Sequence, residues 1–309
     1  MSDRAQPVVS VIIASHRGTY LPGLLVALRN CSGVPFETIA VCDYDPSKLK
    51  SDFPEVRFHV FKIKSISAKR NAGVTIAAAD LIAFIDDDCI PSADWVKNGV
   101  AALHSAPVFS GIEGFTAIEN RPETPMPLRD YLRLEQPGYR TNNIFYRKHH
   151  FLEAGGFDER FTVQREDIDL AFSILDIGYA IGHGASIQVT HRVRKNEPWD
   201  LLKNCVNRRF DPLLFKKHPA RYREHIKTPF PASLLLLLAF HGTVAATFFA
   251  GLPFFIPAIL CDLSAVTICA LRRTSTGFIT EWFACLFAPV VLLCALIYGS
   301  IRYDKLLIV

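Results

Sequence analysis

The 309-residue sequence contains no Cys-x-x-Cys pair, although it holds eight cysteines. Cys31, Cys42, Cys89, Cys205, Cys261, Cys269, Cys285 and Cys294 are scattered, which argues against a zinc site and a disulfide framework. Free thiols in a reducing compartment are the simpler reading. There is no internal repeat and no low-complexity tract, which excludes a repeat array. The stretch Met1–Pro7 has no apolar core, so no signal peptide is expected there. Charge is nearly absent from Phe230 onward, whereas residues 1–229 have an ordinary soluble composition. Acidic residues are scarce in one further place. Arg192–Lys227 holds 11 Lys and Arg against 4 Asp and Glu, a local charge of +7 in a chain whose net charge is only +4. The basicity is therefore a collar ahead of the apolar tail. It points to anionic lipid headgroups rather than nucleic acid.

What the sequence does have is a run of five apolar residues, Leu81–Ile85, followed by Asp86, Asp87, Asp88 and then Pro91. The apolar run lacks polar alternation and reads as a buried strand. The carboxylates sit at its carboxyl end, where ligands bind in open α/β sheets. Three adjacent carboxylates repel one another, so the triplet reads as a cation site or, more plainly, as a solvated acidic turn. A hard divalent ion, Mn²⁺ or Mg²⁺, carrying phosphates suits such a site.

The flanking pattern supplies a setting. Val8–Ala14, Thr38–Cys42 and Val56–Phe61 read as strands, with a helix through Leu21–Leu28. Ser67 is expected to cap a helix bearing Lys69, Arg70 and Asn71 in its first turn, and Pro91 and Ser92 to open another. The order β-α-β-β-α-β-α predicts a mostly parallel sheet with helices on its faces. Three polar clusters then meet at one sheet edge: Ser15-His16-Arg17-Gly18, the acids beginning at Asp43, and Asp86–Asp88. Asp43 suits a base or ribose, and Lys69 and Arg70 suit phosphate.

A second cluster follows. Thr141–Arg147 reads as a strand with a polar start, and 155–161 as a turn. A helix opens at 164–170, with Glu166 and Asp167 in its first turn. The helix dipole alone accounts for acids there. The alternative is that one of them is a general base for an acceptor hydroxyl. Tyr179–Val189 reads as a strand leading to His191, which is either a plain polar residue or a neutral imidazole ligand to the metal.

Five segments carry a resemblance. They are Val9–Arg17, Arg70-Asn71-Ala72-Gly73, Phe84–Asp88, Gly155–Glu159 and Glu166-Asp167-Ile168-Asp169-Leu170. In this order, over roughly residues 8–192, they resemble the family 2 glycosyltransferases of GT-A fold. The resemblance implies a UDP- or GDP-linked sugar donor, a divalent metal (Mn²⁺ or Mg²⁺) and inversion at the anomeric carbon. It implies a nucleotide-sugar site from Ser15, Arg17, Asp43, Arg70, Asp86 and Asp87, with Asp43 on the nucleoside. It implies metal ligands Asp88, Asp86 and His191, and catalytic carboxylates Asp167 and Glu166, Asp167 being the base. Two departures stand out. The family's Gly-Gly before the acidic pair is Gln164-Arg165 here, which puts the acceptor in question. The Gln-x-x-Arg-Trp signature of processive members is absent from Asn204–Phe210, which favours transfer of a single sugar.

The expected organisation is a GT-A catalytic domain over 1–195, a basic amphipathic interfacial segment over 196–229 and a membrane domain over 230–309. In the middle segment Trp199, Leu202, Val206, Phe210 and Leu213 form an apolar stripe, and Pro212 limits the length of any one helix. The tail reads as spans over about 233–250, 253–271 and 278–301. Arg221, Arg223 and Lys227 before the first span, and Arg272 and Arg273 after the second, put the catalytic domain on the cytoplasmic side of a plasma or inner membrane. Three spans would leave Arg302 and Lys305 on the opposite side, against that rule, so the count stands at two or three. His241 and Asp262 fall at equal depth in a hairpin turning at Gly251 and are expected to pair. The leading expectation is an inverting, metal-dependent transferase acting on a lipid-linked or cell-envelope glycan acceptor. Alternatives are a non-catalytic membrane subunit of the same fold, or a phosphotransferase. Ile90 stands where an aspartyl phosphatase would carry Thr or Val.

Overall fold

The computed structural model describes residues 6–119, 132–193, 199–251, 253–271 and 277–307. They fall into two compact units, the first ending at Val193 and the second beginning, among described residues, at Trp199. The expected boundary at 195/196 and the cations Arg272 and Arg273 lie outside the described residues.

The first unit is built on one sheet. Its strands are β1 (Val9–Ser15), β2 (Phe36–Cys42), β3 (Arg57–Val60), β4 (Leu81–Ile85), β5 (Cys89–Pro91), β6 (Phe109–Ile118), β7 (Asn143–Arg147) and β8 (Ala180–His191). Their order is β3-β2-β1-β4-β7-β6-β8-β5. Pairing is parallel at β1–β2, β1–β4, β2–β3 and β6–β8, and antiparallel at β4–β7, β6–β7 and β5–β8. The sheet is thus mixed, with four of these seven pairings parallel and three antiparallel. Its first half follows the β-α-β pattern read from the sequence. The second half departs because β7 inserts antiparallel between β4 and β6.

The helices α1 (Leu21–Arg29), α2 (Ser47–Asp52), α3 (Ile66–Ile76), α4 (Trp95–Ser105), α5 (Lys148–Glu153) and α6 (Glu166–Asp176) complete this unit. They cover both faces of the sheet, and the side-chain period of two in β1 and β4 shows it. Val9, Val11 and Ile13, with Leu81, Ala83 and Ile85, pack with α1 and α4. Ile12, Ile82 and Phe84 pack on the other side with Val74 of α3, Phe151 of α5, and Leu170 and Ile174 of α6. The expected cap at Ser67 belongs to Ser65, whose Oγ accepts the Ala68 N–H at 3.3 Å. Ser67 is buried and donates to the Phe161 carbonyl instead.

The second unit holds α7 (Asp200–Asn207), a 3-10 turn at Arg208–Phe210, α8 (Asp211–Lys217), α9 (Ala232–Phe249), α10 (Phe255–Leu271) and α11 (Phe278–Arg302). The apolar stripe of the basic segment is divided between α7 and α8, with Pro212 in the first turn of α8. Phe210 and Leu213 are buried, whereas Trp199 and Val206 are exposed. The three apolar stretches each form a helix. α9 and α11 are long and apolar enough to cross a membrane, and α10 is a little shorter. His241 Nδ1 lies 2.8 Å from Asp262 Oδ1, so the expected pair is made. His241 Nε2 also meets the Leu286 carbonyl at 2.8 Å, which links a third helix.

Candidate active site

Because β2, β1 and β4 run parallel side by side, their carboxyl ends open along one edge. Ser15 ends β1, Asp43 follows β2, and Asp86–Asp88 follow β4. Ser15 Oγ donates to Asp87 Oδ2 at 2.7 Å. Asp43 Oδ2 lies 2.7 Å from His16 Nδ1 and 3.2 Å from Lys69 Nζ, and Lys69 also donates to the Ser15 carbonyl at 2.9 Å. Burial alone would raise the Asp43 pKa, but the His16 hydrogen bond and the Lys69 ammonium outweigh it and hold the carboxyl below its ordinary range. Arg17 is exposed on this loop with a left-handed backbone, φ 70°.

Arg70, fully enclosed on α3, joins the two acidic clusters. Its Nη2 donates to Asp86 Oδ1 and its Nη1 to Glu166 Oε1, both at 2.8 Å. Burial works against the guanidinium, yet Asp86 and Glu166 keep its pKa above the ordinary value. The second oxygen of the buried Glu166, Oε2, has no hydrogen-bond partner. Asp167 stands beside it at the start of α6 and accepts the Ile168 N–H at 2.8 Å. Ringed by protein although partly reachable by solvent, its carboxyl is pushed up to about 7. Desolvation is the largest cause and the Glu166 charge the next.

Arg165 precedes this pair with φ 76°, the left-handed region where glycine is at ease. That is the physical reason a Gly-Gly pair suits this turn. Here the Arg165 side chain is buried instead, and its charge opposes the rise at Asp167.

His191 reaches the acidic turn through a strand ladder. β5 pairs antiparallel with β8 so that Cys89 lies opposite His191, and the Arg192 N–H donates to the Asp88 carbonyl at 3.0 Å. This brings His191 Nε2 to 3.5 Å from Asp88 Oδ1. The other ring nitrogen, Nδ1, lies 2.8 Å from the Arg192 carbonyl. A carbonyl only accepts, so Nδ1 is assigned the proton. In the neutral ring Nε2 then turns a lone pair toward a carboxylate, an arrangement that a cation between them relieves. Asp88, Cys89 and His191 place one ligand atom each within 4.8 Å of one another. Burial keeps the Cys89 thiol protonated well above its usual pKa, so the oxygen and nitrogen donors lead. That pair fits a hard or borderline divalent ion. Asp86, the third carboxylate expected at the metal, is bonded to Arg70.

The sequence reading gave no role to Glu113. Its buried carboxylate accepts the N–H groups of Gly138, Tyr139 and Arg140 at 2.8–3.2 Å and fixes the approach to β7. A lone acid inside the apolar run Phe109–Ile118 was the available signal. Asn143 is similar. Its amide donates to the Phe115 and Ile187 carbonyls and accepts from Trp95 Nε1, which ties β6, β7, β8 and α4 together.

The family described as glycosyl transferase family 2 matches residues 10–157. The match takes in just under half of the chain, and these residues are similar to a family 2 glycosyltransferase domain. The chain is 22% identical over 200 residues to the pre-mycofactocin glycosyltransferase of Mycobacterium tuberculosis, in strains CDC 1551 / Oshkosh and ATCC 25618 / H37Rv. The match takes in 60% of this chain and 42% of that relative, so the chain spans well under two thirds of the relative's length. The fold is similar to the mannosyltransferase PcManGT from Pyrobaculum calidifontis, solved with GDP-Man and Mn²⁺. The TM-score is 0.62 at 17% identity, covering 97% of this chain and 88% of that one. The first unit is thus GT-A-like in fold, with a mixed sheet, and the chain continues into apolar helices.

Proposed function

We propose that this glycosyltransferase moves one sugar, with inversion, from a nucleotide-diphosphate donor to a hydroxyl of a lipid-linked or envelope glycan acceptor. The observation that carries the reading is the Asp167 carboxyl, raised to about 7 within a site that also holds the Asp88–His191 pair. A base poised near neutral pH suits proton removal from an acceptor hydroxyl. Asp167 takes that proton as the hydroxyl attacks the anomeric carbon, from the face opposite the departing diphosphate. Arg70 acts as a positioning residue, holding Glu166 next to Asp167 and Asp86 next to the donor side. Asp43, ionised and fixed by His16 and Lys69, offers acceptor oxygens to the nucleoside, and Ser15 sets the rotamer of Asp87. Asp88 and His191 would hold a divalent cation, Mn²⁺ or Mg²⁺, which when bound supplies positive charge to the leaving diphosphate.

The apolar helices support a membrane setting. Phe249, Ile256, Leu260, Ile279 and Ile301 are more than half exposed on them, as lipid-facing side chains are. The cations before the first apolar helix favour a catalytic domain on the cytoplasmic side of an inner or plasma membrane, where the donor is met.

The test is transfer by membranes carrying the protein. Labelled UDP- and GDP-sugars are supplied with Mn²⁺ or Mg²⁺, GDP-mannose first because the fold neighbour was solved with it. Metal-dependent label in the organic phase, lost with EDTA, is expected. Donor turnover with label only in water-soluble glycan would overturn the lipid acceptor. Absence of donor binding would overturn the donor assignment.

A further inference from the structure

The apolar part of the second unit leaves the basic collar and returns to it. Arg208 donates to the Pro229 carbonyl at 2.9 Å, which fixes the collar beside the entry to α9. The far end of α11 lies on the same collar. Lys216 Nζ donates to the Tyr303 carbonyl at 2.8 Å, placing a cation on the last carbonyls of a helix, where its dipole favours one. Lys305 Nζ lies 5.6 Å from the centre of the Phe215 ring, which Arg223 also covers at 4.8 Å. Gly299 packs against the collar backbone so closely that a Cβ there would strike the Arg209 carbonyl, with Pro212 Cγ 3.1 Å away. The collar is itself braced, because the buried Asp211 accepts from Tyr222 Oη at 2.8 Å and from Arg208 at 3.0 Å.

These contacts set a parity. Lys216, Arg223, Lys227, Arg302 and Lys305 are all exposed cations and stay out of hydrocarbon. A chain that starts from one side of a bilayer and ends on that side has crossed it an even number of times. Three apolar helices therefore give two crossings, in keeping with the two that are long enough to span. The conflict of Arg302 and Lys305 with the positive-inside rule then disappears.

Resting on the membrane reading above, we infer that the collar and the end of α11 form one cationic face on a single anionic leaflet. The segment 232–302 then crosses the bilayer twice. The test uses full-length variants Lys217→Cys, on the collar, and Asp304→Cys, past α11, in sealed vesicles of both orientations. A membrane-impermeant maleimide is the probe and the unsubstituted chain the blank. Both cysteines are expected to react from the same face and to be protected from the other. Reaction from opposite faces would mean an odd number of crossings and overturn the inference while leaving the membrane reading intact. Release of the protein by alkaline carbonate would remove the membrane reading itself. A protease-sensitive tag after Val309 gives a second reading without altering a folded residue, and it is expected on the face where Lys217→Cys reacts.

Discussion

Both units bury charge, but they do so in opposite ways. In the catalytic unit Lys69 and Arg70 are almost fully buried, and their carboxylate partners line the edge where β1, β2 and β4 end. One Glu166 oxygen is left without a partner there, and Asp167 is held near neutral pH. In the apolar unit the His241 ring makes one contact with Asp262 and one with the Leu286 carbonyl, so both its nitrogens are engaged. The first network is arranged around something still to arrive. The second is closed on itself and joins helices. Buried polarity that stays partly unsatisfied marks chemistry, and buried polarity that is satisfied marks assembly.

The sharpest way to break this contrast is to remove the carboxyl proposed as the base. Asp167→Asn is expected to lower the transfer rate by about 10²–10⁴-fold while leaving donor affinity little changed and raising the melting temperature at neutral pH, where the raised carboxyl costs stability. Initial rates and donor titration on one preparation check it. Arg70→Ala comes next. It strips the buried Glu166 and the partly exposed Asp86 of their shared partner and is expected to cost about 3–5 kcal/mol of stability, with activity lost alongside, as read by chemical denaturation of the purified protein. The third concerns pH. Transfer is expected to rise about tenfold per pH unit below the Asp167 pKa of about 7 and to level above it. Stability should move the other way. The folded state binds the Asp167 proton more tightly than the unfolded chain, whose value is 3.8, so this residue's contribution falls as pH climbs from about 4 to 7. A rate profile and a melting series over that range test both signs. The smallest effect is expected for Asp262→Asn in the apolar unit. It should cost about 1 kcal/mol in detergent with transfer chemistry unchanged, since the polar link there is structural. A large rate effect from Asp262→Asn would erase the contrast between the units.

Much of this arrangement was legible in the residues because it depends on local pattern. The uninterrupted Leu81–Ile85 run marked a central strand, and its acids marked the site edge. Near-equal spacing about Gly251 marked the His241–Asp262 pair. What escaped depends on pairings distant in sequence. β5 is too short to show a period, so nothing local announced that Cys89 would lie opposite His191. The mixed direction of the sheet follows from where β7 inserts between β4 and β6, which no window along the chain reports. Ser65 and Ser67 are equally good capping residues, and only the packing against Phe161 decides between them. Arg70 reads as a phosphate contact in sequence because its partners Asp86 and Glu166 are far apart along the chain.

The three-residue ladder between β5 and β8 has a consequence for how this site tolerates change. Asp88 and His191 owe their proximity to local register, and the long stretch of chain between them does not set it. Loops there can lengthen, shorten or exchange without the two donor atoms moving apart. A slip of a single residue in the ladder does the reverse, since it turns the imidazole to the other face of the sheet. Changes of loop length between these two residues are therefore expected to leave the pair together, and a change of phase along the three rungs to part it.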